Sequence, residues 1–168
     1  MLKLDLENMP LNGRHLIEAS AGTGKTYSIT RLYLRLLLEK QIPVERILLM
    51  TYTRAATEEL RGRIKETLMH AKDSWSSDPD PFLQSLYLQV DAKQAKLRLH
   101  QALLNLDQAA IFTIHGFCAR ALQQHAFTSQ TGLEVVLEAN TYDLVYQALQ
   151  AWLRGAILQP TLYQQLTK

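Results

Sequence analysis

Apolar residues follow two patterns along this chain: short continuous runs, and longer stretches in which they recur every three or four positions. The runs within 46–51 and 109–113, and the pair Leu16 and Ile17, predict three short buried strands. The longer stretches predict helices. The predicted helices cover 25–39, a stretch after Thr53, 82–89, 91–106, a stretch beginning at Ile114, and 141–158.

Side chains suited to helix capping stand at two of these predicted starts. Thr53 is placed to cap the second helix, and Asp91 with Gln94 three residues later forms a capping-box pattern. Residues 73–81 are polar and contain prolines, which predicts a loop. Residues 132–138 predict a further strand that leaves the main sheet.

Strand and helix alternate three times, which predicts an α/β fold with a parallel sheet flanked by helices. Ligands of such sheets bind at the carboxyl ends of the strands. Three strand-to-helix junctions lie at that edge: the loop before Lys25, residues 52–54 and residues 113–117. We therefore expect these junctions to face one shared surface.

Composition is that of an ordinary globular chain of 168 residues, with 47% apolar residues, 20% charged residues and a net charge of +2. This length predicts one domain. The small net charge gives no sign of nucleic-acid binding, so such evidence has to come from local clusters. The single cysteine, Cys118, excludes an internal disulfide and is typical of a reducing compartment. The sequence shows neither a signal peptide nor a membrane span, which predicts a cytoplasmic protein without membrane contact.

The loop after Ile17 matches the phosphate-binding pattern G-x-x-x-x-G-K-[ST], except that Ala19 stands in the first position. Glycines here let main-chain N–H groups point inward at a phosphate. Lys25 can reach the β- and γ-phosphates of a nucleoside triphosphate, and the Thr26 hydroxyl is the usual ligand of the accompanying Mg²⁺. The alternative is a small-residue turn that contains a lysine by chance. The predicted nucleotide-binding residues are Ala19, Ser20, Ala21, Gly22, Thr23, Gly24, Lys25 and Thr26, with Lys25 and Thr26 also catalytic.

Two later stretches resemble motifs of the UvrD/Rep-type superfamily 1 DNA helicases: residues 49–64 resemble motif Ia, and residues 112–122 resemble motif Ib. The residue sequence of the phosphate loop, together with that of Ile114–Cys118, looks closest to the RecB-type subunits of exodeoxyribonuclease V. The resemblance implies a RecA-like P-loop NTPase fold with ATP and Mg²⁺ as cofactors. The domains it implies are an incomplete helicase subdomain 1A over 1–128, with a helical insertion at about 73–107, and the beginning of subdomain 1B over 129–168.

By this resemblance the chain is the N-terminal portion of an ATP-dependent helicase and exonuclease subunit of double-strand break repair and recombination. The implied partners are single-stranded DNA, duplex DNA ends, and subunits of the RecC and RecD type. Tyr52 offers an aromatic face on which a base could stack, or it packs in the core. Phe117 is either a second stacking surface or a core residue, and Cys118 is expected in the core. The predicted DNA-binding residues are Thr51, Tyr52, Thr53, Arg54, Thr113, His115, Gly116 and Phe117.

Several residues that a complete helicase needs to bind and hydrolyse ATP are not apparent in the sequence. No acidic pair at a strand end supplies the carboxylates that hold magnesium and activate water, and no arginine finger is identifiable. The glutamine that reads adenine in many relatives is not apparent in residues 1–13, and Tyr27 stands where many of them have arginine. The chain alone is therefore expected to bind nucleotide weakly and to hydrolyse nothing. The alternatives are a self-contained small P-loop kinase or nucleotide-binding regulator, and a non-catalytic DNA-binding module.

Overall fold

The computed structural model describes residues 4–20, 22–75, 78–125 and 141–157. The chain divides into two compact units, Met1–Cys118 and Ala119–Lys168, while the predicted boundary after residue 128 stays a prediction. The predicted strand at 132–138 lies outside the described residues. The helices are α1 (Lys25–Leu38), α2 (Arg54–Asp73), α3 (Pro81–Gln89), α4 (Ala92–Leu104), α5 (Ile114–Gln124) and α6 (Tyr142–Ile157), and the strands are β1 (Leu49–Thr51) and β2 (Ile111–Thr113).

Strands β1 and β2 pair in parallel, which confirms two of the predicted strands in shorter form. Their register places Leu49 opposite Ile111 and Thr51 opposite Thr113. The prediction of a strand at Leu16 and Ile17 is wrong, since this stretch has no regular structure and Leu16 is 86% exposed. A strand needs a neighbour for its N–H and C=O groups, and within the described residues only β1 and β2 pair.

The predicted helix starts are confirmed where a local capping interaction determines them. The Thr53 hydroxyl accepts a hydrogen bond from the Ala56 N–H at 3.1 Å, so α2 begins immediately after it. The Asp91 carboxylate accepts from the Gln94 N–H at 2.9 Å at the start of α4. These bonds form within one helical turn, which is why the sequence alone predicts them.

The core of the first unit lies where α2 packs against α1 and α4. Helices α3 and α4, the helical part of the predicted insertion, contribute buried side chains to this core and are thus integral to it. The largest fully buried side chains are Tyr33, Leu34, Leu38, Val44, Ile64, Leu68, Leu83, Leu99 and Ile111. None of the helices in the described ranges has both the length and the apolar character needed to cross a membrane.

Two aspartates tie the loop before α3 to the rest of the first unit. Asp80 forms an ion pair with Arg31 of α1, and the Arg31 guanidinium lies 4.6 Å from the centre of the Tyr27 ring. Burial acts to raise the pKa of Asp78, but hydrogen bonds from the Asp80 N–H and the Ser74 hydroxyl, together with His70, outweigh it and lower that pKa. Asp78 is therefore held as a buried carboxylate at neutral pH.

Candidate functional site

The phosphate loop folds around the side chain of its own lysine. The Lys25 ammonium donates hydrogen bonds to the main-chain carbonyls of Ala19 at 2.8 Å and Ser20 at 2.9 Å. The Thr23 hydroxyl donates to the same Ser20 carbonyl at 2.7 Å. The ammonium group is exposed, so a phosphate can reach it without displacing any core residue. Ala21 lies outside the described residues.

Glycine is required at two loop positions by the backbone and not by lack of space. Gly22 and Gly24 have φ angles of +76° and +85°, which side chains with a Cβ rarely adopt. A Cβ added at Gly22 would meet nothing within 4 Å, and at Gly24 it would meet only the Tyr27 Cβ at 3.9 Å. The two left-handed turns therefore set the course of the main chain ahead of α1.

The amino end of α1 is open to an anion. Gly24 is its N-cap and supplies no side-chain hydrogen bond. The N–H groups in the first turn of a helix have no helical acceptor, and the helix dipole adds partial positive charge there. Together with the Lys25 ammonium, this end of α1 has the donors and the charge that a phosphate group needs.

Thr26 is suited to a metal that accompanies a phosphate. The hydroxyls of Ser28 and Thr30, further along α1, bond to the helix carbonyls of Gly24 and Tyr27. The Thr26 hydroxyl makes no such bond to another described residue and stands one position after Lys25. A free hydroxyl oxygen at this place fits Mg²⁺, which prefers oxygen ligands and is usually bound through substrate phosphates.

The two predicted DNA-facing junctions lie side by side, because Thr51 at the end of β1 pairs in register with Thr113 at the end of β2. The Thr53 hydroxyl caps α2, and the Thr113 hydroxyl accepts from the Gly116 N–H at 3.0 Å. Each of these hydroxyls acts as an acceptor and keeps its own proton available for donation. Thr51 differs, because its hydroxyl lies 2.6 Å from that of Thr57 and also donates to the Thr53 carbonyl. Its proton is therefore used in a hydrogen bond within the protein.

The aromatic and charged side chains of the junctions differ in exposure. Tyr52 is 85% exposed, so the alternative that it packs in the core is wrong. Arg54 and His115 are also exposed, whereas Phe117 is half-buried. Cys118 is exposed, and its expected place in the core is wrong. An exposed tyrosine beside two main-chain turns gives this edge a surface that can stack on a planar ring.

Gly116 allows the Thr113 hydroxyl to approach the start of α5. A Cβ at Gly116 would lie 3.1 Å from the Thr113 hydroxyl oxygen, whereas a Cβ at Gly62 in α2 would meet nothing within 4 Å. We expect Gly62→Ala to stabilise the chain by about 0.5–1 kcal/mol, because alanine loses less backbone entropy in a helix. The free energy of unfolding of Gly116→Ala should be about 1 kcal/mol lower than that of Gly62→Ala, because its Cβ disturbs the hydrogen bond to the Thr113 hydroxyl. Urea unfolding of both variants measures this difference, and equal gains would contradict it.

The structure thus brings the two junctions together, while their predicted convergence with the phosphate loop stays a prediction.

Sequence reasoning overlooked Arg61, which is partly buried and donates to the carbonyls of Leu106 and Ile111. The position of Arg61 on the predicted helix indicates that it borders the core. It lies one helical turn after the buried Thr57 and one turn before the buried Ile64.

Comparison with known proteins gives one consistent relationship. The UvrD/REP helicase N-terminal domain family matches residues 5–166. The RecBCD enzyme subunit RecB of Escherichia coli K12 is 43% identical over 156 residues, which cover 86% of this chain and 13% of that protein. RecB of Haemophilus influenzae is 43% identical over 154 residues, covering 82% of this chain and 13% of its own length. RecB of Mycobacterium tuberculosis is 36% identical over 135 residues, or 77% of this chain and 12% of the relative. With its phosphate loop followed by two paired strand-to-helix junctions, the chain belongs to the UvrD/REP helicase family, whose N-terminal domain it carries.

Proposed function

We propose that this chain is the part of a RecB-like DNA helicase subunit that binds ATP and single-stranded DNA. The observation that carries the proposal is the Lys25 ammonium held on the carbonyls of Ala19 and Ser20, beside an uncapped helix start. This is the arrangement that a P-loop of the RecA-like type needs to receive a triphosphate.

In the nucleotide complex, Lys25 binds the β- and γ-phosphates, and the main-chain N–H groups of 22–26 donate to their oxygens. Thr26 would hold Mg²⁺, which when bound neutralises phosphate charge. Since no acidic pair or arginine finger is apparent in the sequence, the role of these residues is to bind and orient the nucleotide.

On the DNA side, Tyr52 stacks on a base while the polar groups of the two junctions bind the sugar–phosphate backbone. The exposure of Tyr52 and the free protons of the Thr53 and Thr113 hydroxyls support this assignment. Arg54 and His115 add exposed donors, and Gly116 and Phe117 shape the second junction. Thr51 contributes by holding the first junction in place.

The chain spans 13% of the length of the Escherichia coli and Haemophilus influenzae relatives, so the following concerns a whole protein of which it would be part. We propose that this protein is a cytoplasmic RecB-like helicase and exonuclease. It would act with RecC and RecD subunits on duplex DNA ends in double-strand break repair and recombination. Neither the kinase nor the DNA-binding-module alternative is favoured, because the helicase family matches nearly the whole chain.

Thermal unfolding with different nucleotides tests the nucleotide half of the proposal. Mg-ATP should raise the unfolding temperature more than Mg-AMP at the same concentration, because the loop binds the β- and γ-phosphates that AMP lacks. Equal shifts would mean that the loop does not recognise these phosphates. Steady-state phosphoryl transfer by the chain would favour the kinase alternative.

Replacing Tyr52 tests the DNA half. We expect Tyr52→Ala to weaken binding of a fluorescent oligo(dT) by about 1–3 kcal/mol, or roughly 5- to 150-fold, without changing stability. The reason is that the ring stacks on a base but touches little of the protein. Fluorescence anisotropy titration measures the affinity. The matched control is Tyr146→Ala, because Tyr146 is 62% exposed on α6. An unchanged affinity for Tyr52→Ala, or an equal loss for Tyr146→Ala, would contradict stacking at the β1 junction.

A further inference from the structure

Arg61 links the elements that carry the two predicted DNA-facing junctions. It belongs to α2, which begins at the first junction, and its two terminal nitrogens bind different carbonyls. Nη1 donates to the Leu106 carbonyl at 3.1 Å, and Nη2 donates to the Ile111 carbonyl at 3.3 Å. Leu106 begins a single 3-10 turn that leads to β2, and Ile111 is the first residue of β2.

The Arg61 hydrogen bonds add to a short pairing between β1 and β2. The two strands pair over only three residues each, Leu49–Thr51 with Ile111–Thr113, so few hydrogen bonds fix their relative position. Arg61 lies about 12 Å along α2 from Thr53. Ile111 lies about 7 Å along the strand from Thr113. The Arg61 contacts therefore add a second constraint between the elements that carry the two junctions.

Arginine suits this task better than lysine does. The planar guanidinium holds its N–H groups in a fixed fork, whereas an ammonium is a single point charge on a flexible stem. Here Nη1 and Nη2 each donate to a different carbonyl, so one rigid planar group holds both. Burial and the Glu45 carboxylate raise the pKa of Tyr33, and the positive charge of the Arg61 guanidinium acts against them. Arg61→Lys keeps this positive charge and changes the geometry.

We propose that Arg61 is a positioning residue for single-stranded DNA: by tying α2 to β2 it sets the spacing between the β1–α2 and β2–α5 junctions, so that both engage phosphates of one strand. This inference rests on the proposed DNA-binding function. Because Arg61 touches protein carbonyls, its effect on DNA comes through Thr53 and Thr113 and their neighbours.

The test measures oligo(dT) binding by the wild-type chain and Arg61→Lys over a series of salt concentrations. We expect affinity to fall about tenfold in Arg61→Lys. The slope of log affinity against log salt concentration should also decrease, by about 0.7 for each phosphate that the variant no longer binds. A merely structural role leaves this slope unchanged, since partial unfolding lowers the active fraction equally at every salt concentration. If Arg61→Lys does not fold, Arg61→Gln should also lower the affinity and should lower the slope by more than the roughly 0.7 that the loss of one cation alone would give.

The matched control is Arg98→Lys. Arg98 is a partly buried arginine of α4 that donates to the Leu38 carbonyl at 3.1 Å, at the far end of α1. Its replacement should leave both affinity and slope unchanged.

The outcomes separate this inference from the proposal beneath it. Wild-type binding with an unchanged affinity and slope in the folded Arg61 variants would overturn the positioning role alone. An equal change in Arg98→Lys would overturn it too, by showing a general loss of rigidity. If the wild-type chain binds no oligo(dT), the proposed DNA-binding function fails and the positioning role fails with it.

Discussion

Lys25→Ala is expected to abolish the stabilisation that Mg-ATP gives to the wild-type chain. At a hundred times its dissociation constant, a ligand adds about 2.7 kcal/mol to the free energy of unfolding. For a chain of this size that raises the unfolding temperature by roughly 5–11 °C. Alanine removes the ammonium that lies on the carbonyls of Ala19 and Ser20, and with it the charge that binds the β- and γ-phosphates. Thermal unfolding followed by circular dichroism measures the shift.

The matched control is Lys40→Ala, because Lys40 is an exposed lysine beyond the other end of α1. It should keep the full Mg-ATP shift. A shift of wild-type size in Lys25→Ala would show that the nucleotide binds elsewhere on the chain. No shift in the wild type up to millimolar Mg-ATP would contradict a preformed phosphate site in the chain alone, and repeating the measurement on the full-length protein would then test the P-loop assignment itself.

Leu99→Ala should lower the free energy of unfolding by about 2–5 kcal/mol, the usual cost of a fully buried leucine. Leu99 belongs to α4 and is completely buried in the core beside α2. The cost has two parts: the lost transfer free energy of the side chain, and the cavity that the neighbouring residues only partly fill. Urea unfolding gives the free energy directly.

The same helix supplies the control. Leu97 is 52% exposed, so Leu97→Ala should change stability by no more than about 0.5 kcal/mol. If Leu99→Ala costs as little as Leu97→Ala, α4 is an accessory to the fold and not part of its core. A large cost for Leu99→Ala alone would show that the helical insertion is part of the folding core.

Sequence reasoning succeeded where structure is decided within a few residues. It placed the start of α1 at Lys25, the cap of α2 at Thr53 and the cap of α4 at Asp91. Each depends on a hydrogen bond or a backbone conformation within one turn. The apolar runs before Thr51 and Thr113 likewise predicted the two strands, although both are shorter than expected.

It failed where structure depends on partners that are distant along the chain. Leu16 and Ile17 have the composition of a buried strand, but a strand forms only beside a neighbour, and none of the described residues pairs with them. Tyr52 and Cys118 have ordinary core side chains, yet the packing of α2 and α5 leaves both exposed. Burial of a single residue depends on the whole set of packed elements.

Within the candidate site, the phosphate loop could be predicted from the sequence, because its glycines, its lysine and the helix that follows are one continuous stretch whose conformation is local. Only the packed fold shows that Thr51 and Thr113 stand side by side and that Arg61 reaches Leu106 and Ile111. The reason is physical: strand pairing and the Arg61 contacts join residues 45–62 positions apart, and their geometry exists only once helices and strands have packed.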